Sequence, residues 1–228
     1  MLNKEEYSND MEENLADFGE SNLRAIVDCI PFGGLLANNI EFLIKPSIEK
    51  RKEKWLNLIV DSINFLSNKI ENVSKMFQDE TFVTFIINTT QSAMRTQQDE
   101  KINMYKNVLI NSYICNNIDL DKKMIFLNWL DNLTLTHMKV LAFMNNPSEF
   151  CDNPNGSTMN SIAEIMRMSF SNFNDNRQIY ENVVKDLYYK GLINTDNIST
   201  HMTSSGAFAI RSTVVGKEFI TFVSNSNN

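Results

Sequence analysis

The chain has 228 residues, 43% of them apolar, enough to bury a real core as one large domain or two modest ones. Its net charge of −7 is unevenly spread: residues 1–20 carry one lysine against seven acids, whereas residues 21–228 hold 20 basic and 21 acidic side chains. That balance excludes a uniformly basic chain, and it makes the acidity a property of the N-terminus and not of the body.

Residues 1–20, with Glu5, Glu6, Asp10, Glu12, Glu13, Asp17 and Glu20, are expected to form a flexible, solvated tail. A partner-binding or self-masking acidic arm is the sharper alternative. Ala25 to Ile44 approaches the length of a membrane span, but Asp28, Asn38, Asn39 and Glu41 interrupt it, and Pro31 with Gly33-Gly34 breaks it in the middle. Two short amphipathic helices hinged at "PFGG" are expected, with no stable membrane span. A membrane-active effector working through a 25–44 hairpin is the minor alternative, at the cost of placing those polar groups in lipid.

From Ser47 to Phe77 apolar residues recur at Ile48, Trp55, Ile59, Ile63, Leu66, Ile70, Val73 and Phe77, with Lys52 in the one vacant slot. The spacing alternates four and three, which predicts one long helix over about 47–77 that opens at Pro46 and carries a narrow apolar seam. Antiparallel packing within the chain would cover the seam. A homodimer joined through Trp55, Ile59, Ile63, Leu66 and Ile70 is the sharper expectation. Further helices are predicted at Asp79–Thr96, Asp99–Cys115 and Leu120–Leu130, each with apolar residues at helical spacing, so residues 21–132 read as an all-α bundle.

The composition changes after Asn132. "LTLTHMKVLAFM" is a helix capped by Thr134 or Thr136, and it stops at Asn145-Asn146-Pro147. "TMNSIAEIMRMSF" is a short helix with a Ser161/Glu164 capping box. Arg177 to Lys190 is a third helix, halted by Gly191. Short strands are predicted at Leu192–Thr195, His201–Thr203 and Phe208–Arg211, turning at Ser205-Gly206, before a last helix in "TVVGKEFITFV". Three helices, a small β-wing and a closing helix are the winged-helix order, assigned to residues 133–228. The fold expected is therefore mainly α, a helical bundle followed by a winged-helix domain.

The "LTLTHMKVL", "LYYKGLI" and "TVVGKEF" phrases together resemble bacterial winged-helix domains. "AMRTQQDEKINMYKNVLINS", Ala93 to Ser112, resembles a phrase of bacterial helical proteins related to the Abi-alpha group. Tyr105, Asn107, Val108 and Leu109 fall at matching places, while Lys106 stands where that group has alanine. The resemblance implies a setting in abortive infection and phage defence, and it carries over no catalytic residue.

No catalytic constellation is visible. Gly33-Gly34 lacks the lysine and hydroxyl residue of a phosphate loop, and neither a Gly-x-Ser-x-Gly elbow nor a His-Glu-x-x-His helix occurs. Asp99/Glu100 and Asp119/Asp121 sit at helix starts, where the dipole favours acids. Cys29, Cys115 and Cys151, with His137 and His201, match no zinc spacing and suit reduced thiols in the cytoplasm. No cofactor or metal is expected, and the chain reads as a non-enzyme.

Two uses of the fold remain. One is a dimeric nucleic-acid-binding regulator contacting DNA through Asn176, Arg177, Gln178, Lys185 and the wing residue Arg211. The other is a scaffold or abortive-infection effector whose winged helix docks protein, with exposed Tyr180 and Tyr189 as contacts. Residues 136–228 hold seven basic and eight acidic residues, which lacks the basic face DNA-binding modules usually carry.

Overall fold

A computed structural model describes residues 38–69, 73–151 and 159–224. Among them the chain is mainly helical, with one two-stranded antiparallel sheet. The acidic N-terminal segment and the "PFGG" hinge lie outside the described residues. Two compact units divide between Lys123 and Met124.

The N-terminal unit contains helices α1 (Asn38–Ser67), α2 (Val73–Met76), α3 (Glu80–Arg95) and α4 (Asp99–Ile114). α3 and α4 lie along one another, and α1 packs on both. Trp55, Ile59, Ile63 and Leu66 are all buried in this one chain, so the seam is covered without a second copy. Trp55 Nε1 donates to Thr90 Oγ1 (2.9 Å), a polar atom otherwise stranded in an apolar interface. α3 opens on Asp79, whose carboxylate accepts from Thr81 N, and buries Phe82, Phe85, Ile86, Thr89 and Ala93, as the spacing predicts.

The long helix is corrected at both ends. It begins at Asn38, so Pro46 lies inside it and not at its start. An internal proline forfeits one hydrogen bond, a cost of roughly 3 kcal/mol, but does not by itself prevent helix on both sides. It also stops at Ser67 and does not run to Phe77. Ser67 Oγ donates to Asn64 O and Lys69 N to Leu66 O, local bonds that compete for the carbonyls a continuing helix would use. Ile70 lies outside the described residues.

α5 (Leu120–Asn132) contains the boundary between the units. Lys123 near its start is buried, and its ammonium donates to Ser112 O at the end of α4 (2.8 Å), within the N-terminal unit. There it serves a carbonyl that the helix leaves unpaired.

The C-terminal unit continues with α6 (Leu135–Asn145), β1 (Met159–Ser161), α7 (Ile162–Ser169), α8 (Arg177–Tyr189), β2 (His201–Thr203), α9 (Ser204–Ala207) and α10 (Val214–Val223). Thr134 is the cap of α6, and its hydroxyl accepts from His137 N while His137 Nδ1 accepts from Thr134 N. The Ser161/Glu164 box opens α7 as the sequence predicts. α6 packs on α8 and on α10, and Phe143, Phe150, Phe170, Phe173 and Tyr180 form a continuous aromatic cluster.

The predicted strands pair differently. His201–Thr203 is a strand, but its partner is Met159–Ser161, paired Met159 to Thr203 and Ser161 to His201, and not Phe208–Arg211. Ser205-Gly206 lies in α9, where Thr203 Oγ1 caps Gly206 N, so no hairpin turn forms there. Leu192–Thr195 contributes only the Ile193–Ser212 bridge. Three-residue strands carry too little alternation to fix their partners, and a threonine three residues ahead of a glycine amide is also a helix start.

The exit of α8 is well defined. Gly191 has φ 71°, its N–H donates to Tyr188 O, and Leu192 N donates to Leu187 O, a Schellman closure that needs a residue tolerant of positive φ. Thr213 then ties the entry of α10 to this corner: its hydroxyl donates to Gly191 O (2.6 Å) and its N–H to Leu192 O.

Candidate nucleic-acid interface

α8 is amphipathic, and its inner face is Tyr180, Val183, Val184 and Leu187, all buried. At about 3.6 residues per turn, the opposite face is centred on Gln178, Asn182, Lys185 and Tyr189, spaced four, three and four. All four are exposed, Tyr189 to 80%. The stripe carries two amides, one ammonium and one phenol, and no carboxylate.

The two acids of α8 sit beside this stripe, each drawn to a partner. Glu181 Oε1 accepts from Arg177 Nε (3.0 Å), and Arg177 Nη2 also donates to Ser199 Oγ (3.0 Å). Asp186 Oδ2 lies 3.4 Å from His137 Nε2. His137 Nδ1 is turned to Thr134 at the start of α6, which leaves Nε2 facing Asp186.

The residues singled out from sequence separate into two groups. Gln178 and Lys185 fall together on the outward stripe. Arg177 is exposed, but its guanidinium is engaged by Glu181 and Ser199. Asn176 is half-buried just before α8 and donates from Nδ2 to Asn172 O. Arg211 is turned inward: its Nη2 donates to Gly206 O (2.9 Å) and to Met202 Sδ, and its Nε is buried without a partner. With no hairpin between residues 203 and 208, Arg211 has no wing tip on which to stand.

Two side chains of α8 are exchanged relative to expectation. Tyr180, read as exposed, is buried against Phe170 and Phe173, and its hydroxyl donates to Asn172 Oδ1 (2.7 Å). Burial raises its phenol above the usual tyrosine range, partly offset by that hydrogen bond. Ile179, which the apolar 179, 183, 187 spacing would turn inward, is 54% exposed. The inner face is rotated by part of a turn because Phe173 and Phe170 offer an aromatic ring a better seat than Ile179 would fill. Asn182 was missed, although the 178, 182, 185, 189 spacing alone would have found it.

Among the described residues no cluster of His, Cys, Asp or Glu is arranged to hold a metal ion, and no helix is long and apolar enough to cross a membrane. Cys115 and Cys151 are free thiols, and burial pushes the Cys115 thiol up against a smaller lowering by Lys123. Comparisons with protein-family profiles, curated proteins and solved structures found no match.

Proposed function

We propose that this chain is a non-enzymatic regulator that binds duplex DNA through α8 of a winged-helix-type C-terminal unit. The observation that carries the reading is the carboxylate-free outer stripe of α8, Gln178–Asn182–Lys185–Tyr189, with the helix's acids held at its margins by Arg177 and His137. Amide side chains on an exposed helix are the groups that read base edges, and a major groove admits one helix. The order α6, β1, α7, α8, β2 supports a winged-helix-type unit by analogy of fold. Lys185 supplies phosphate attraction, while the near-neutral balance of the unit keeps the affinity modest. The phage-defence setting rests on the Ala93–Ser112 resemblance alone.

The test is binding to mixed-sequence duplex DNA across a salt series. Log affinity should fall linearly with log salt, with a shallow slope reflecting few phosphate contacts. If no salt-dependent binding occurs at low ionic strength, docking to protein becomes the better account. Exposed Ile179 and Tyr189 would then be its anchors.

A further inference from the structure

Gln178 Nε2 donates to Asn182 Oδ1 across one helical turn (3.4 Å). That bond orients the two amides against each other and uses one N–H of Gln178. Each side chain keeps a carbonyl oxygen and an N–H for a further partner, the combination that a Gln or Asn uses bidentately. Adenine's major-groove edge carries the complement, an N6–H donor beside the N7 acceptor. Guanine's edge carries two acceptors, O6 and N7, and calls for a fork of two donors, the work of arginine. The two arginines expected at the interface are engaged elsewhere: Arg177 with Glu181 and Ser199, and Arg211 with Gly206 O.

From this juxtaposition we infer that the site selects A·T steps in the major groove of B-form DNA, with Gln178 and Asn182 as the specificity-determining pair. The inference rests on the DNA-binding reading above and deepens it. Lys185, one turn beyond Asn182, is assigned to a phosphate, which fixes register without reading sequence. Ile179, at the edge of the stripe, offers apolar surface to a thymine methyl group. Duplex RNA is not the target, because its major groove is too deep and narrow for a side chain to read.

The experiment is fluorescence anisotropy with the full chain and three short duplexes of identical flanks: an A·T centre, a G·C centre, and the A·T centre built with 7-deazaadenine. The expected result is binding about five- to a hundredfold tighter to the A·T duplex than to the other two. In Gln178→Ala with Asn182→Ala the three affinities should converge while the salt slope is unchanged. In Lys185→Ala all three should weaken together, with the slope smaller by about one. Equal or tighter binding to the G·C duplex overturns the A·T inference while leaving DNA binding intact. So does a preference that survives removal of adenine N7, which would place the readout in groove shape. Absence of salt-dependent binding to any duplex fails the DNA reading itself.

Discussion

Gly216, in the first turn of α10, lies directly against the backbone of Leu192: a Cβ on residue 216 would collide with the Leu192 carbonyl oxygen. The obstacle is backbone already fixed by Thr213 N and by the Gly191 closure, so it cannot step aside as a flexible side chain would. Gly216→Ala should gain about 1 kcal/mol of helix propensity and lose more, about 1–3 kcal/mol, to overpacking. A lower melting temperature is expected, with the far-UV helix signal kept below the transition. A variant as stable as the parent would show that α10 can withdraw from the 191–193 corner.

In the N-terminal unit the Trp55–Thr90 bond offers a double-mutant cycle. Thr90→Val leaves the indole N–H buried without an acceptor, which should cost about 1–3 kcal/mol. Trp55→Phe leaves Thr90 satisfied, since its hydroxyl already donates to Ile86 O, and should cost chiefly packing. The double variant should therefore be less destabilised than the sum of the singles, by about 1 kcal/mol. Strict additivity in urea unfolding would mean that the indole N–H finds water in the Thr90→Val protein.

Ile63→Asp tests the seam itself. Ile63 is buried on α1, the helix that packs on α3 and α4, and an unpaired carboxylate there should cost about 3–5 kcal/mol. The loss should be independent of protein concentration, because the seam is closed within the chain. A melting temperature that rises with concentration in the parent and not in the variant would restore a seam between copies.

What could be read in the sequence followed the strength of the local signal. α3 carries apolar periodicity along its length and opens on the Asp79 cap, and α6 opens on the Thr134 cap, so local signals agree there. The Gly191 stop was equally legible, because Schellman chemistry needs a residue tolerant of positive φ. The sheet was not, because β1 and β2 are three residues each and their pairing spans two intervening helices. On α8 the period was clear but its phase was not: Ile179 and Tyr180 are both apolar enough to face inward. Only the tertiary ring contacts of Phe170 and Phe173 choose between them. The internal use of Arg211 likewise depends on a carbonyl, Gly206 O, brought near by a helical turn where a hairpin was expected.

Tyr180 gives that choice a pH signature. Its folded pKa is raised by burial above the ordinary tyrosine value of about 10. The stabilisation linked to it is thus fully present below pH about 10 and is lost as the unfolded chain ionises first above that value. Tyr180→Phe should flatten this part of the alkaline stability profile. It should also leave Asn172 Oδ1 without its phenol donor, a cost of about 1 kcal/mol at neutral pH. Parallel profiles for parent and variant between neutral and strongly alkaline pH would place the hydroxyl in solvent.

Arg177 and Glu181 form an i,i+4 pair beside the outer stripe of α8, exposed enough that the pair contributes only about 0.3–0.5 kcal/mol to stability. Its larger effect should be on binding, since Glu181 holds the guanidinium and also places a negative charge beside any phosphate that Lys185 attracts. Glu181→Gln should raise DNA affinity and steepen the salt slope by about one unit, as Arg177 becomes able to displace a counterion. Arg177→Ala alone should lower affinity, because the carboxylate it neutralised is then bare. Combining Arg177→Ala with Glu181→Gln should return the slope to near the parent value, and none of the three should shift the melting temperature appreciably. The check is one salt titration per variant on a single duplex. If the parent binds with salt dependence and Glu181→Gln leaves affinity and slope unchanged, the Arg177 side of α8 does not face phosphate. The helix would then meet DNA through its Asp186 side, and Asp186→Asn becomes the variant to titrate.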